Sequence, residues 1–154
     1  MNGLPLLVVG HGTRSDSGVA EFTAFMDRLT AGDAEQAASG FHDGFLNLDP
    51  RTVGVVSREQ LRMALPYRAR LFESIGAVGM DRTALRECPL DDLHTLVQGT
   101  WELRFADRDA QPLALRSTYL LRRGQDGWSA VAYLNHQDIV EVVRLRAEAR
   151  SGGV

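Results

Sequence analysis

The hydrophobic period of this chain changes once, after Gly76, and that change limits the folds open to it. Beyond Gly76, residues Thr95, Val97, Trp101, Leu103 and Phe105 alternate with His94, Gln98, Glu102 and Arg104. Successive side chains of a strand point to opposite faces, so this alternation predicts a strand with one covered face. Residues 113–123 and 128–136 read the same way, separated by Gly124-Gln125-Asp126-Gly127, a stretch rich in turn formers. Antiparallel hairpins follow, with Met80 to Cys88 as a weaker additional strand. Asp138 is positioned to cap a closing helix through Arg146, and Ser151-Gly152-Gly153 reads as a frayed tail.

Upstream of Gly76 the spacing is helical. Phe22, Phe25, Met26 and Leu29 predict a helix over 18–30 behind the possible caps Ser15, Asp16 and Ser17. Gly32-Asp33 breaks it, and Asp33 opens a second helix with Ala34, Ala37, Ala38 and Phe41 on one face. Phe45 to Asp49 reads as a short strand stopped by Pro50, because proline cannot donate to a ladder. Ser57 and Gln60 have capping-box spacing, and Leu61, Ala64, Leu65, Leu71, Phe72 and Ile75 then mark a third helix over 57–76. Pro66 inside it is expected to kink or split it. The fold class predicted is α+β, with helices covering one face of a curved antiparallel sheet.

The chain has 154 residues and a formal charge of -3, so one ordinary globular domain is expected and nothing basic invites a nucleic acid. All 17 basic residues are arginine. Without lysine there is neither a P-loop nor a Schiff-base enzyme. Cys88 is the sole cysteine, which excludes an intramolecular disulfide and any zinc site built on two thiolates, and fits a cytoplasmic address. The apolar run at the start is too short for a signal peptide or a membrane span, so no membrane partner is expected. No cofactor is expected either.

Four groups of residues carry chemistry. His11 follows the apolar run Leu6-Leu7-Val8-Val9-Gly10 and could bind a metal, move protons or make a structural hydrogen bond, but no second histidine lies at metal-motif spacing. Asp49 at a strand end forms with Pro50 an ordinary strand-terminating pair. Tyr67, Trp101, Tyr119, Tyr133 and His136 are the aromatic and amphipathic residues able to reach a cavity; they also suit an ordinary core, the reading favoured for Trp101 between Val97 and Phe105, while His136 is the better polar candidate. Cys88, before Pro89 and with no lysine beside it, has nothing to make its thiol reactive.

Residues 18–146 resemble the nuclear transport factor 2-like superfamily, which includes ketosteroid isomerases and SnoaL-like polyketide cyclases. The resemblance rests on the hairpin break at Ala31-Gly32-Asp33, the strand end Leu48-Asp49-Pro50, the helix start Ser57-Arg58-Glu59-Gln60 and the strands around Tyr119 to Arg123 and Gly127-Trp128. It implies a cone-shaped fold over 18–150 with a pocket for a small apolar molecule between sheet and helices, and a homodimer through the outer sheet face. It also implies an alternative as an isomerase, cyclase or dehydratase, with Asp49 as general base and Tyr119 or His136 as donor. The tyrosine that such isomerases carry on the first helix is matched here by Phe25, which cannot donate. A non-enzymatic dimerisation module is a further alternative.

Residues 4–29, with Gly10-His11-Gly12-Thr13-Arg14 and Gly18-Val19-Ala20-Glu21-Phe22, resemble the opening of the sirohydrochlorin chelatase family. That resemblance implies metal or tetrapyrrole handling at His11. The repeated βα units of that family are missing after Leu29, which makes residues 1–17 a remnant joined to another fold.

Overall fold

The computed structural model describes residues 16–30 and 33–153. Two helices, α1 (Asp16–Leu29) and α2 (Ala34–Ser39), lead into a hairpin of β1 (Phe41–Leu48) and β2 (Val53–Val56). Helix α3 (Arg58–Ser74) follows, then four long strands: β3 (Ala77–Pro89), β4 (His94–Phe105), β5 (Leu113–Gly124) and β6 (Gly127–Asn135). Helix α4 (Ile139–Ser151) closes the chain. Of the strand and loop expected over 1–17, residues 1–15, His11 included, lie outside the described residues, and Asp16 and Ser17 belong to α1.

The local signals act as the sequence indicates. Ser57 accepts from the Gln60 amide at 3.1 Å while the Gln60 side chain accepts from the Ser57 amide at 2.9 Å, so the capping box satisfies two donors that a helix start leaves open. Asp33 and Asp138 cap α2 and α4 in the same manner, each accepting a backbone amide three residues on. Pro66 does not split α3. It lies on the exposed side, where water can reach the Arg62 carbonyl that loses its helical donor.

Three expectations need correction. Phe41 does not extend α2; Gly40 ends that helix and Phe41 opens β1, its ring buried against Phe45 at 4.5 Å between centroids. Strand β2 is an addition to the expected elements, and β3 is the longest strand in place of a weak one. The sheet is also mixed and not purely antiparallel. Its order is β2-β1-β6-β5-β4-β3, every pair antiparallel except β1 with β6. Hydrophobic period reports which face of a strand is covered, and it carries no information about the direction of a partner distant in the chain.

One face of the sheet is the core. Val97, Trp101 and Leu103 of β4, Leu115, Tyr119 and Leu121 of β5, and Ala130 and Tyr133 of β6 are buried there, and α1 adds Phe22, Phe25, Met26 and Leu29. A second cluster joins Phe72 of α3 and Ile75, the residue that caps its end, to Leu103, Leu115 and Val143. Helices α1 and α3 thus cover the strands at 94–135, as expected. The curled sheet leaves a space under α3.

Candidate functional site

That space has two connected parts. An inner recess of about 100 Å³ is bounded by Leu29, Ala37, Phe41, Leu61, Trp101, Ser117, Tyr119 and Tyr133. An outer cleft of about 650 Å³ runs between α3 and the start of β3, along Pro66, Ala69, Phe72, Val78 and Leu103. Leu65, Arg68 and Met80 border both, so they form the neck. The recess is smaller than the roughly 300–1,000 Å³ usual for small-molecule sites, whereas the cleft falls within that range.

Alternation along the strands delivers the polar groups of the recess. Ser117 and Tyr119 share the inner face of β5, and Tyr133 stands opposite Tyr119 on β6. The Tyr119 and Tyr133 rings pack at 5.1 Å between centroids, and Trp101 meets Tyr119 edge-on at 6.3 Å. Ser117 Oγ and the Tyr133 hydroxyl share a buried hydrogen bond of 3.1 Å. Arg68, reaching down from α3, donates from Nη1 to the same Tyr133 oxygen at 3.2 Å. Its guanidinium also lies over the Phe72 ring at 5.5 Å.

Electrostatics fix the protonation states. Burial pushes the Tyr119 phenol well above its ordinary pKa, the Tyr133 oxygen adds to this, and Arg68 opposes it without winning. Tyr119 is therefore a neutral hydroxyl. Arg68 is held above its usual value, first by the Tyr133 oxygen beside it, and remains a cation. Next to Ser117 in register, Asn135 carries a buried Oδ1 with no hydrogen-bond partner among the described residues.

Of the residues singled out from the sequence, Trp101, Tyr119 and Tyr133 border the recess together. The others stand elsewhere. Tyr67 is 57% exposed and lines neither part of the cavity. His136 is on the opposite side of the sheet, where its Nε2 shares a 2.7 Å hydrogen bond with Thr118, because Thr118 and His136 alternate with inward-facing Ser117, Tyr119 and Asn135. Asp49 does not border the cavity: its carboxylate accepts from the amides of Arg51 at 2.8 Å and Thr52 at 2.9 Å and from the Thr52 hydroxyl at 2.7 Å. Slight burial pushes its pKa up, but the Thr52 hydroxyl and the two amides outweigh that and leave it below the usual value. A base needs the reverse shift, so the expected arrangement of Asp49, Tyr119 and His136 around one cavity is not the one found.

Arg68 is the site residue that sequence reasoning missed. Leu61, Leu65, Arg68 and Phe72 are spaced 4, 3 and 4 apart, so an arginine occupies a place on the apolar stripe of α3, and that is the signal that marks it. Among the described residues no cluster of histidine, cysteine and carboxylate could hold a metal, and no helix is long and apolar enough to cross a membrane.

A curled six-stranded sheet with helices over its concave face and a cavity beneath α3 defines a nuclear transport factor 2-like cone fold. Several solved structures superpose on it. Aln2 from a Streptomyces species matches with a TM-score of 0.60 at 18% identity, over 87% of this chain and 99% of that one. An NTF-2 like protein of unknown function from Shewanella oneidensis gives 0.57 at 15% identity, over 77% and 95%. A ketosteroid isomerase-like protein from Erwinia carotovora atroseptica gives 0.52 at 17%, over 78% and 92%. Neither a protein-family model nor a curated protein sequence matches the chain.

Proposed function

We propose that this protein binds a small, largely apolar molecule in the space between its sheet and α3. The observation that carries the reading is the cavity itself: aromatic and aliphatic walls around a few hydroxyls and one guanidinium, opening through a neck at Leu65, Arg68 and Met80 into a cleft of ligand size. The isomerase, cyclase or dehydratase alternative lacks a base there. No carboxylate or imidazole borders the inner recess among the described residues, and Glu73, the one carboxylate of the outer cleft, is exposed. Binding is thus favoured over proton-transfer chemistry. Native mass spectrometry of freshly purified protein, paired with titration of an uncharged solvatochromic dye, tests the reading. Ala69→Trp fills the cleft from an exposed position and is expected to abolish dye binding without lowering stability; unchanged dye binding would count against the cavity.

A specific observation also favours a homodimer through the outer sheet face. Val55, Leu46, Ala132, Leu120 and Leu96 follow one another in register across five strands, with Leu48, Val53 and Leu134 in the next row. Val53 and Val55 are 73% and 71% exposed, and Leu46 and Leu96 are exposed as well. A contiguous apolar face of this kind is characteristic of an interface, and a second copy offers the same face by symmetry.

A further inference from the structure

Arg68 is a half-buried cation with no anion beside it among the described residues. The outer end of most long charged side chains reaches water, yet Arg68 sits on the sheet-facing stripe of α3 and borders both recess and cleft. Among the described residues it forms no ion pair, and its polar partner is the Tyr133 hydroxyl at 3.2 Å. A guanidinium has five N–H donors in a rigid fork, and since Asn135 Oδ1 is the one buried polar side-chain atom without a partner among the described residues, the Arg68 donors that Tyr133 does not engage open onto the cavity. The Tyr119 hydroxyl in the same recess also makes no hydrogen bond among the described residues. Two sets of donors therefore face one small space, and Arg68 is the only charged residue bordering its inner part among the described residues.

We propose that the cavity selects a small organic carboxylate, whose anionic group sits against Arg68 at the neck with the Tyr119 hydroxyl of the recess behind it, and whose apolar body lies along Leu65, Phe72 and Met80 in the outer cleft. The inference rests on the ligand-binding reading above and adds the charge of the ligand. A single planar guanidinium matches a carboxylate in a two-point contact. A phosphate dianion would call for a second cation, and the other arginine bordering the outer cleft, Arg70, is exposed.

Calorimetric titration with 4-phenylbutyrate and with its uncharged analogue 4-phenylbutanamide at pH 7 tests this. The acid is expected to bind roughly tenfold to a hundredfold more tightly than the amide, the range a charge-assisted contact provides. Arg68→Met should abolish that gap while keeping amide binding, and Arg68→Lys should restore part of it. Should Arg68→Met fail to fold, the wild-type ratio together with Arg68→Lys decides. Equal binding of acid and amide by the wild type would overturn the carboxylate inference and leave the cavity reading intact. If neither compound binds and the uncharged dye does not bind either, both fall.

Discussion

The indole of Trp101 lies across the backbone of Gly99, so close that a Cβ built on Gly99 would fall 2.1 Å from its Cη2 atom. The two residues share the inner face of β4, two positions apart, and the ring occupies the volume where a side chain would be. Trp101 is thereby held at the wall of the recess.

Gly99→Ala forces the indole to move, and overpacking of this type costs about 1–3 kcal/mol. The expected outcome is a lower midpoint in chemical denaturation together with altered Trp101 fluorescence. Gly54→Ala is the control, because nothing lies within 4 Å of its added Cβ. If Gly99→Ala were as stable as Gly54→Ala, the indole would not be held as described.

Asp49 acts in the turn between β1 and β2. Asp49→Ala removes the acceptor of two amides and one hydroxyl and is expected to cost about 1 kcal/mol, while ligand binding stays within twofold of wild type. The folded carboxyl has a pKa below the value of 3.8 for a free group, so its contribution is fully present above that value and fades as pH falls through the folded value. Acid unfolding curves of wild type and Asp49→Ala should therefore converge at low pH. Loss of turnover in Asp49→Asn with ligand binding kept would restore the general-base reading.

Tyr119 sets the alkaline limit. Its folded pKa is raised above the ordinary 10.0, so the stability it contributes is present below pH 10 and is lost as pH rises through the folded value. Ultraviolet titration at high pH should show the chain's three tyrosines failing to ionise together, with a delayed fraction released on unfolding and absent from Tyr119→Phe. Simultaneous ionisation of all three would contradict the buried phenol.

The outer sheet face predicts a dimer that a charge disrupts. Val55→Glu or Leu96→Glu places like charges across a twofold interface, and sedimentation should show the dimer weakened at least tenfold, about 1.4 kcal/mol. Both positions are exposed in the single chain, so its fold should tolerate the change. A wild type that sediments as a monomer at high concentration would remove the proposal.

Much of this architecture is legible in the residues because it depends on local physics. Ser57 and Gln60 announce α3 by their spacing, Asp138 announces α4, and the alternation from Thr95 to Phe105 marks which face of β4 is covered. What escapes is set by distant contacts. Val53 to Val56 has a glycine within four residues and too little length for a period, and it becomes a strand only because β1 offers an edge. Phe41 fits a helix face or a strand equally, until Gly40 fits tightly against Leu29 and ends α2. Asp49 matches an expected base by sequence position alone, and the Arg51 and Thr52 amides claim it. Arg68 looks like one more solvated arginine among Arg58, Arg62 and Arg70, and only the sheet facing it distinguishes its place on the stripe.

The parallel contact between β1 and β6 also orders the chain in time. Phe41 pairs with Ala130 and Leu48 with Leu134, so β1 acquires its inner neighbour only after β6, the last strand of the sheet in chain order, has been made. Until then the β1–β2 hairpin has one side of β1 unpaired and the aromatic rings of Phe41 and Phe45 uncovered. Such long-range closure slows folding and lengthens the exposure of an open edge. Newly synthesised chains would thus be most vulnerable to mispairing before β6 emerges, and the segment at risk is the one that walls the recess.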